Sequence, residues 1–153
     1  MVAQLIVGIG MHEHIERAVE AVLRTNKKKV GLLGLSFKAG TDDLRESPQV
    51  QLTKRLMGEG CEIRIWDPHV SLGQLTGANR QFIQDVIPHI GSLLSSSLQV
   101  VVENSEVLLI ATSAVKSEML RPFLQPAHTV IDLVNLEKTR RIQGPSSHQG
   151  FCW

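Results

Sequence analysis

Apolar residues recur at helical spacing in some segments and form short continuous runs in others. Between residues 13 and 24, Ile15, Val19, Val22 and Leu23 recur every three or four positions, which predicts an amphipathic helix. Four later apolar runs are too short for helices and are predicted to be strands. These runs cover residues 30–35, 61–66, 106–111 and 128–134.

Helical segments are predicted between these strands. One begins at Pro48, with Ser47 as its N-cap, and ends at the glycines around residue 59. Others are predicted at 98–104 and 117–124. The stretch 70–97 is read only as one short helix, a loop and a second short helix before Pro88, and the chain from 144 onwards is read as irregular.

This alternation of strands and helices predicts an α/β fold, a Rossmann-like, doubly wound and mostly parallel sheet in one domain. Ligands of such sheets bind beyond the carboxyl ends of the strands. The polar segment 36–47, which follows the first predicted strand, is therefore expected at the binding edge.

Composition narrows the possible functions. The chain has 153 residues, a length typical of one domain, and a net charge of +1, which gives no electrostatic case for nucleic acid or a membrane surface as a partner. Its two cysteines, Cys61 and Cys152, lack the spacing of a zinc site or a disulfide framework, so that a reducing cytoplasm is expected. Residues 1–11 lack the basic start of a signal peptide.

Two segments resemble parts of a dinucleotide-binding motif, but neither has all the residues that the motif requires. Gly8 and Gly10 resemble the start of a glycine fingerprint, but its third glycine would fall at Glu13, whose carboxylate would repel a pyrophosphate. Asp67 stands at the end of the second predicted strand, where NAD-binding domains recognise the ribose. The turn 34–38 carries bulky side chains where a pyrophosphate needs bare backbone, so that Asp67 is interpreted as the end of a strand.

The segment 34–48 carries the most informative chemistry. Lys38 can donate to a phosphate or sugar oxygen, and the guanidinium of Arg45 can fork onto a phosphate or carboxylate. The N-terminus of the following helix also favours anions. The residues alone leave open a plain surface loop, in which both cations pair with Asp42, Asp43 and Glu46.

This segment resembles the signature of the UDP-glucose/GDP-mannose dehydrogenase family, in which a strand runs into Phe-Lys-x-(x)-Thr-x-Asp-x-Arg-x-Ser-Pro. The similarity continues through 60–68, 106–111 and 130–134, and covers about residues 13–153. It implies that residues 1–27 are a linker and the end of a central helix, and that 28–153 form the C-terminal nucleotide-sugar-binding domain.

The resemblance also implies roles for individual residues. Lys38 corresponds to a lysine that contacts the nucleotide sugar, next to the aromatic residue that corresponds to Phe37. Arg45 corresponds to an arginine that reaches NAD held by the N-terminal domain. The family oxidises C6 of the sugar to a carboxylate in two steps through a cysteine thiohemiacetal, and it forms homo-oligomers. Neither Cys61 nor Cys152 matches that cysteine, so this chain alone is expected to be inactive.

Finer features favour the branch that converts GDP-mannose to GDP-mannuronate for alginate-type polysaccharides. Asn135 stands near the position where UDP-glucose dehydrogenases carry an arginine, and segments 39–44, 78–89 and 150–153 look closer to the GDP-mannose branch. A UDP-hexose substrate is the first alternative. The second is a stand-alone nucleotide-binding module that never had a catalytic half.

Overall fold

Five strands form one parallel sheet in the computed structural model, which describes residues 11–35, 47–70, 77–112, 115–134 and 147–150. The strands are β1 (Lys29–Leu33), β2 (Glu62–Trp66), β3 (Val107–Ile110), β4 (Thr129–Asp132) and β5 (Ser147–Gly150). Their order in the sheet is β2-β1-β3-β4-β5. The predicted doubly wound, Rossmann-like α/β fold is confirmed.

Helices occupy most of the segments between the strands. They are α1 (Met11–Arg24), α2 (Pro48–Gly58), α3 (Gly77–Val86), α4 (Ile90–Leu93), α5 (Leu98–Glu103) and α6 (Ser117–Leu120), followed by a 3-10 turn (Arg121–Phe123). Of the helices within the described ranges, none is long and apolar enough to cross a membrane.

The helices bury both faces of the sheet. Side chains of α1 to α4 pack with Val30 and Leu32 of β1 in one core cluster, while Leu33 of the same strand packs with α5 and α6 in the other. In β3, Leu109 belongs to the first cluster and Leu108 to the second. The strands are therefore apolar at consecutive positions because neighbouring residues point to opposite, equally buried faces.

Helix α1 is packed into the first cluster. Ile15, Val19 and Val22 are buried there, and the guanidinium of Arg55 on α2 forks onto the carboxylate of Glu16 with N···O distances of 2.9 and 2.8 Å. These hydrogen bonds and the charge of Glu16 raise the pKa of Arg55. The predicted boundary between residues 27 and 28 remains a prediction, although α1 contributes to the same core as α2.

All four predicted strands differ from the structure by one or two residues at one or both ends, and two of the differing element ends have a clear physical reason. The first strand ends at Leu33 because Gly34 has a φ of 108°, which breaks the extended backbone. The helix predicted at 117–124 stops at Leu120, because Pro122 has no N–H to donate and the chain continues as a 3-10 turn. Between residues 70 and 97, α3 precedes Pro88 and α4 follows it, while residues 71–76 lie outside the described residues.

The prediction of an irregular C-terminal segment was wrong for residues 147–150. These residues form β5, which pairs with β4 in parallel register from Thr129–Ser147 to Asp132–Gly150. The segment reads Ser-His-Gln-Gly and has no apolar residue, so that no hydrophobic period marks it as a strand. Its backbone pairing with β4 defines it instead.

Candidate functional site

The strand order places a topological switch point at the carboxyl ends of β1 and β3. The chain passes from β1 to β2 on one side and returns to β3 on the other side of β1. In open α/β sheets, ligands bind in the crevice outside the carboxyl ends at such a point. Gly34 and Leu35 follow β1 at this edge, and Ala111 and Thr112 follow β3.

The residues predicted to bind ligand belong to the segment between Leu35 and Ser47. Phe37, Lys38 and Arg45 lie outside the described residues, so that their roles remain predictions. Both ends of the segment are described. Leu35 lies two residues beyond β1, and Ser47 directly precedes α2. Both flanking residues therefore lie at the carboxyl edge, where the sequence predicted the segment.

Leu35 has both backbone polar groups engaged. Its N–H donates to Oδ2 of Asp67 across 2.7 Å, and its carbonyl accepts from the hydroxyl of Ser47 across 2.6 Å. Ser47 holds the N-cap position of α2, as predicted, but its side chain makes no capping bond because it is directed to Leu35. These contacts join the two ends of the segment 36–46 and link them to the end of β2.

Gln49 links α2 to the end of β3. Its Nε2 donates to the carbonyl of Ala111 across 2.8 Å, which turns its Oε1 toward the hydroxyl of Ser47 at 3.0 Å. The side chain is only 2% exposed. Sequence reasoning missed this residue, because a glutamine in the first turn of a helix gives no sign that it will be buried.

In the described part of this edge, Asp67 and Gly34, which stand where a Rossmann domain would contact a dinucleotide, make contacts within the chain. Both oxygens of Asp67 are engaged, since Oδ1 also accepts from the N–H of His69 across 2.7 Å, and the residue is 6% exposed. The backbone of Gly34, where a pyrophosphate would need close approach, packs against the side chain of Thr112. Asp67 therefore links the end of β2 to Leu35, and its interpretation as the end of a strand stays a prediction from the sequence. Gly8 and Gly10 lie outside the described residues.

Cys61 has the surroundings of a core residue. It is 8% exposed and belongs to the cluster formed by α1 to α4. Burial raises the pKa of its thiol, the charge of Lys28 lowers this pKa, and Glu59 raises it. Since the thiolate is the nucleophilic form, this environment disfavours covalent catalysis. Cys152 lies outside the described residues.

Two of the described histidines, His14 and His128, are buried. His128 is buried, and its Nδ1 accepts from the N–H of Gln125 while Nε2 lies 2.9 Å from the carbonyl of Val102. His14 is buried on α1. Among the described residues, no three His, Cys, Asp or Glu side chains are grouped as they would be around a metal ion.

An open groove of about 480 Å³ lies between α1 and α2. It is lined by Ile15, Gln51, Lys54, Arg55 and Gly58. None of these is a predicted binding residue. The switch-point edge, to which the polar contacts converge, is therefore the candidate site.

Comparisons with known proteins agree with this architecture. Residues 31–138 match the family model described as "UDP-glucose/GDP-mannose dehydrogenase family, UDP binding domain". The chain is 39% identical over 139 residues to a GDP-mannose 6-dehydrogenase from Pseudomonas putida, covering 91% of this chain and 32% of that protein. It is 26% identical over 151 residues to a UDP-glucose 6-dehydrogenase from Rickettsia bellii, covering 83% of this chain and 33% of that protein.

A solved structure gives the same result. The crystal structure of a ternary complex of GDP-mannose dehydrogenase from Pseudomonas aeruginosa superposes with a TM-score of 0.72 at 37% identity, covering 88% of this chain and 30% of that chain. The chain thus spans about a third of the length of the relatives it matches.

Proposed function

The chain belongs to the UDP-glucose/GDP-mannose dehydrogenase family, and we propose that it is the nucleotide-sugar-binding domain of an NAD-dependent GDP-mannose 6-dehydrogenase. The observation that carries the proposal is the hydrogen bond between Leu35 and Ser47, the two described residues that flank the segment 36–46. Both lie at the carboxyl edge of the sheet, beside the switch point where ligands of such sheets bind. The segment between them carries Phe37, Lys38 and Arg45.

The proposed division of labour follows from the chemistry of these residues. Lys38, next to Phe37, contacts the nucleotide sugar, and Arg45 reaches NAD held by a separate N-terminal domain. NAD accepts the hydrides when the C6 alcohol is oxidised to the carboxylate of GDP-mannuronate. The cofactor is assigned to a separate domain, and the contacts of Asp67 and Gly34 within the chain support this assignment.

Two arguments favour GDP-mannose as the substrate. The first is the sequence identity to relatives, and the second is the difference in hydrogen-bond donors between guanine and uracil. The chain is more similar to the Pseudomonas putida GDP-mannose enzyme than to the Rickettsia bellii UDP-glucose enzyme. Guanine presents donors at N1 and N2 that uracil lacks, so that a site built to accept them leaves buried acceptors unpaired with UDP. Such mispairing supports discrimination of roughly 10⁴-fold.

The same proposal includes the location, the oligomeric state and the pathway of the complete enzyme. The complete enzyme is a cytoplasmic homo-oligomer that supplies an alginate-type polysaccharide pathway. The cytoplasmic assignment rests on the two cysteines without disulfide spacing. The chain alone reduces no NAD, because neither cysteine matches the family's nucleophile.

Two measurements test the proposal. The purified chain is titrated calorimetrically with GDP-mannose and with UDP-glucose, and the complete enzyme is assayed for kcat/KM with both. We expect tighter binding and a higher kcat/KM with GDP-mannose, and no absorbance change at 340 nm from the chain with NAD and either sugar. A ratio of kcat/KM near one, or one favouring UDP-glucose, would instead support the UDP-hexose alternative. Binding without any catalytic partner in the genome would support the stand-alone module.

A further inference from the structure

The candidate site contains buried polar side chains to which the resemblance gives no role. Ser47 is 1% exposed and Asp67 is 6% exposed. A buried carboxylate is costly unless hydrogen bonds replace its water, and apolar residues of similar volume often give an equally stable core. Both side chains form hydrogen bonds to the backbone of Leu35 and thereby fix its position.

The contacts fix Leu35 from two directions. Asp67 comes from the end of β2 and accepts from the N–H, and Ser47 comes from the start of α2 and donates to the carbonyl. Asp67 is itself oriented by the N–H of His69, and the hydroxyl of Ser47 also faces Oε1 of Gln49. Asp67 therefore has a second hydrogen bond that limits its rotation, whereas the single hydroxyl hydrogen of Ser47 is donated to Leu35.

We propose that Ser47 and Asp67 are positioning residues for the nucleotide sugar, which hold both ends of the segment 36–46 at the carboxyl edge of the sheet. The proposal rests on the proposed function, since that segment carries Phe37 and Lys38. Lys38 is only three residues beyond Leu35, so that the position of Leu35 limits where its ammonium group can reach. A ligand that must first order a released segment binds more weakly, because its ordering entropy is subtracted from the binding free energy.

The chain offers a matched control for this idea. Ser105 is also buried, and its hydroxyl also donates to a backbone carbonyl across 2.6 Å, that of Val101. It directly precedes the segment that enters β3, at the amino edge of the sheet. Ser47→Ala and Ser105→Ala thus remove the same buried group at opposite edges, and Ser47→Thr retains the hydroxyl.

The experiment measures the affinity of the whole chain for GDP-mannose by calorimetry, together with Tm and amide exchange of peptides spanning 36–46. We expect Ser47→Ala and Asp67→Asn to weaken binding by at least about tenfold and to raise exchange in that segment. Ser105→Ala should change neither the affinity nor the exchange in that segment, and Ser47→Thr should retain most of the affinity. Asp67→Asn keeps the shape of the side chain and serves as the second variant if Ser47→Ala fails to fold.

The outcomes separate this proposal from the proposed function. Unchanged affinity and exchange in both site variants would overturn the positioning role, as would an equal loss in Ser105→Ala, which would indicate a general effect of stability. If the wild-type chain binds no GDP-mannose, the proposed function fails for the isolated chain. The exchange measurement then decides the positioning role by itself, since it needs no ligand.

Discussion

The side chain of Thr112 occupies the space next to Gly34 that a Cβ would need, with its own Cβ 2.7 Å from the ideal position. Gly34 also has a φ of 108° and donates its N–H to the carbonyl of Trp66 across 2.8 Å. The ends of β1, β2 and β3 therefore meet around one glycine. Because Gly34 has no side chain, Thr112 can pack directly against its backbone.

Replacement of Gly34 by alanine should destabilise the fold strongly. The variant combines a backbone conformation that L side chains rarely adopt with a collision against Thr112. The sum of strain and overpacking is on the order of 2–5 kcal/mol in the free energy of unfolding. Urea denaturation followed by circular dichroism measures it.

Gly58→Ala is the matched control, because a Cβ there meets no atom within 4 Å and the residue ends helix α2. Its free energy of unfolding should stay equal or rise by up to about 1 kcal/mol, since alanine favours helix more than glycine. Equal effects of the two variants would contradict the role given to Thr112.

His14 should make the stability depend on pH. Burial lowers the pKa of His14 below its ordinary value, the charge of Arg17 lowers it further, and Glu13 partly opposes the change. The unfolded chain then binds the proton more readily than the folded chain. The free energy of unfolding should therefore fall as the pH drops through the ordinary histidine pKa of about 6.5 toward the lower folded value, and be retained above it.

The measurement compares urea denaturation of the wild type and of His14→Gln at several pH values between about 5 and 8. Only the difference between the two proteins reports His14, because all other groups are common to both. We expect the wild type to lose stability relative to the variant as the pH falls. A difference that stays constant over this range would show that His14 does not carry the effect.

Cys61 should react slowly with thiol reagents in the folded chain. Its burial in the core and its raised pKa both reduce the accessible thiolate. In a Cys152→Ser background, the reaction with Ellman's reagent at about pH 8 should be at least roughly 100-fold slower than in denaturant. Comparable rates in the two conditions would show that Cys61 is accessible and would reopen its assignment as a core residue.

The strands, and with them the carboxyl edge of the sheet, could be predicted because consecutive apolar residues mark buried parallel strands. Four observed strands, among them the one that begins at Val107, lie at the apolar runs from which strands were predicted. Strand β5 could not be predicted, because its four residues carry no apolar period. The contact between Leu35 and Asp67 was equally hidden, since 32 residues separate them in sequence and only the pairing of β1 with β2 brings them together.

Lys38 and Arg45 should affect different substrates in the complete enzyme. Lys38→Ala removes a charge-assisted hydrogen bond to the nucleotide sugar, and the expected cost is about 1.5–3 kcal/mol in kcat/KM for that substrate. Arg45→Ala should mainly raise the KM for NAD, because its guanidinium is proposed to reach the cofactor across the domain interface. Steady-state kinetics with each substrate varied in turn measures both effects.

Two exposed cations serve as controls for the loss of charge, Lys54 on α2 and Arg64 on β2. Their alanine variants should keep wild-type kinetics, because neither lies in the segment 36–46 and surface charges contribute little at a distance. If Lys38→Ala and Arg45→Ala behaved like these controls, the segment would be a surface loop whose cations pair with Asp42, Asp43 and Glu46. If both weakened the same substrate, the division between sugar and cofactor would be wrong while the binding site itself would stand.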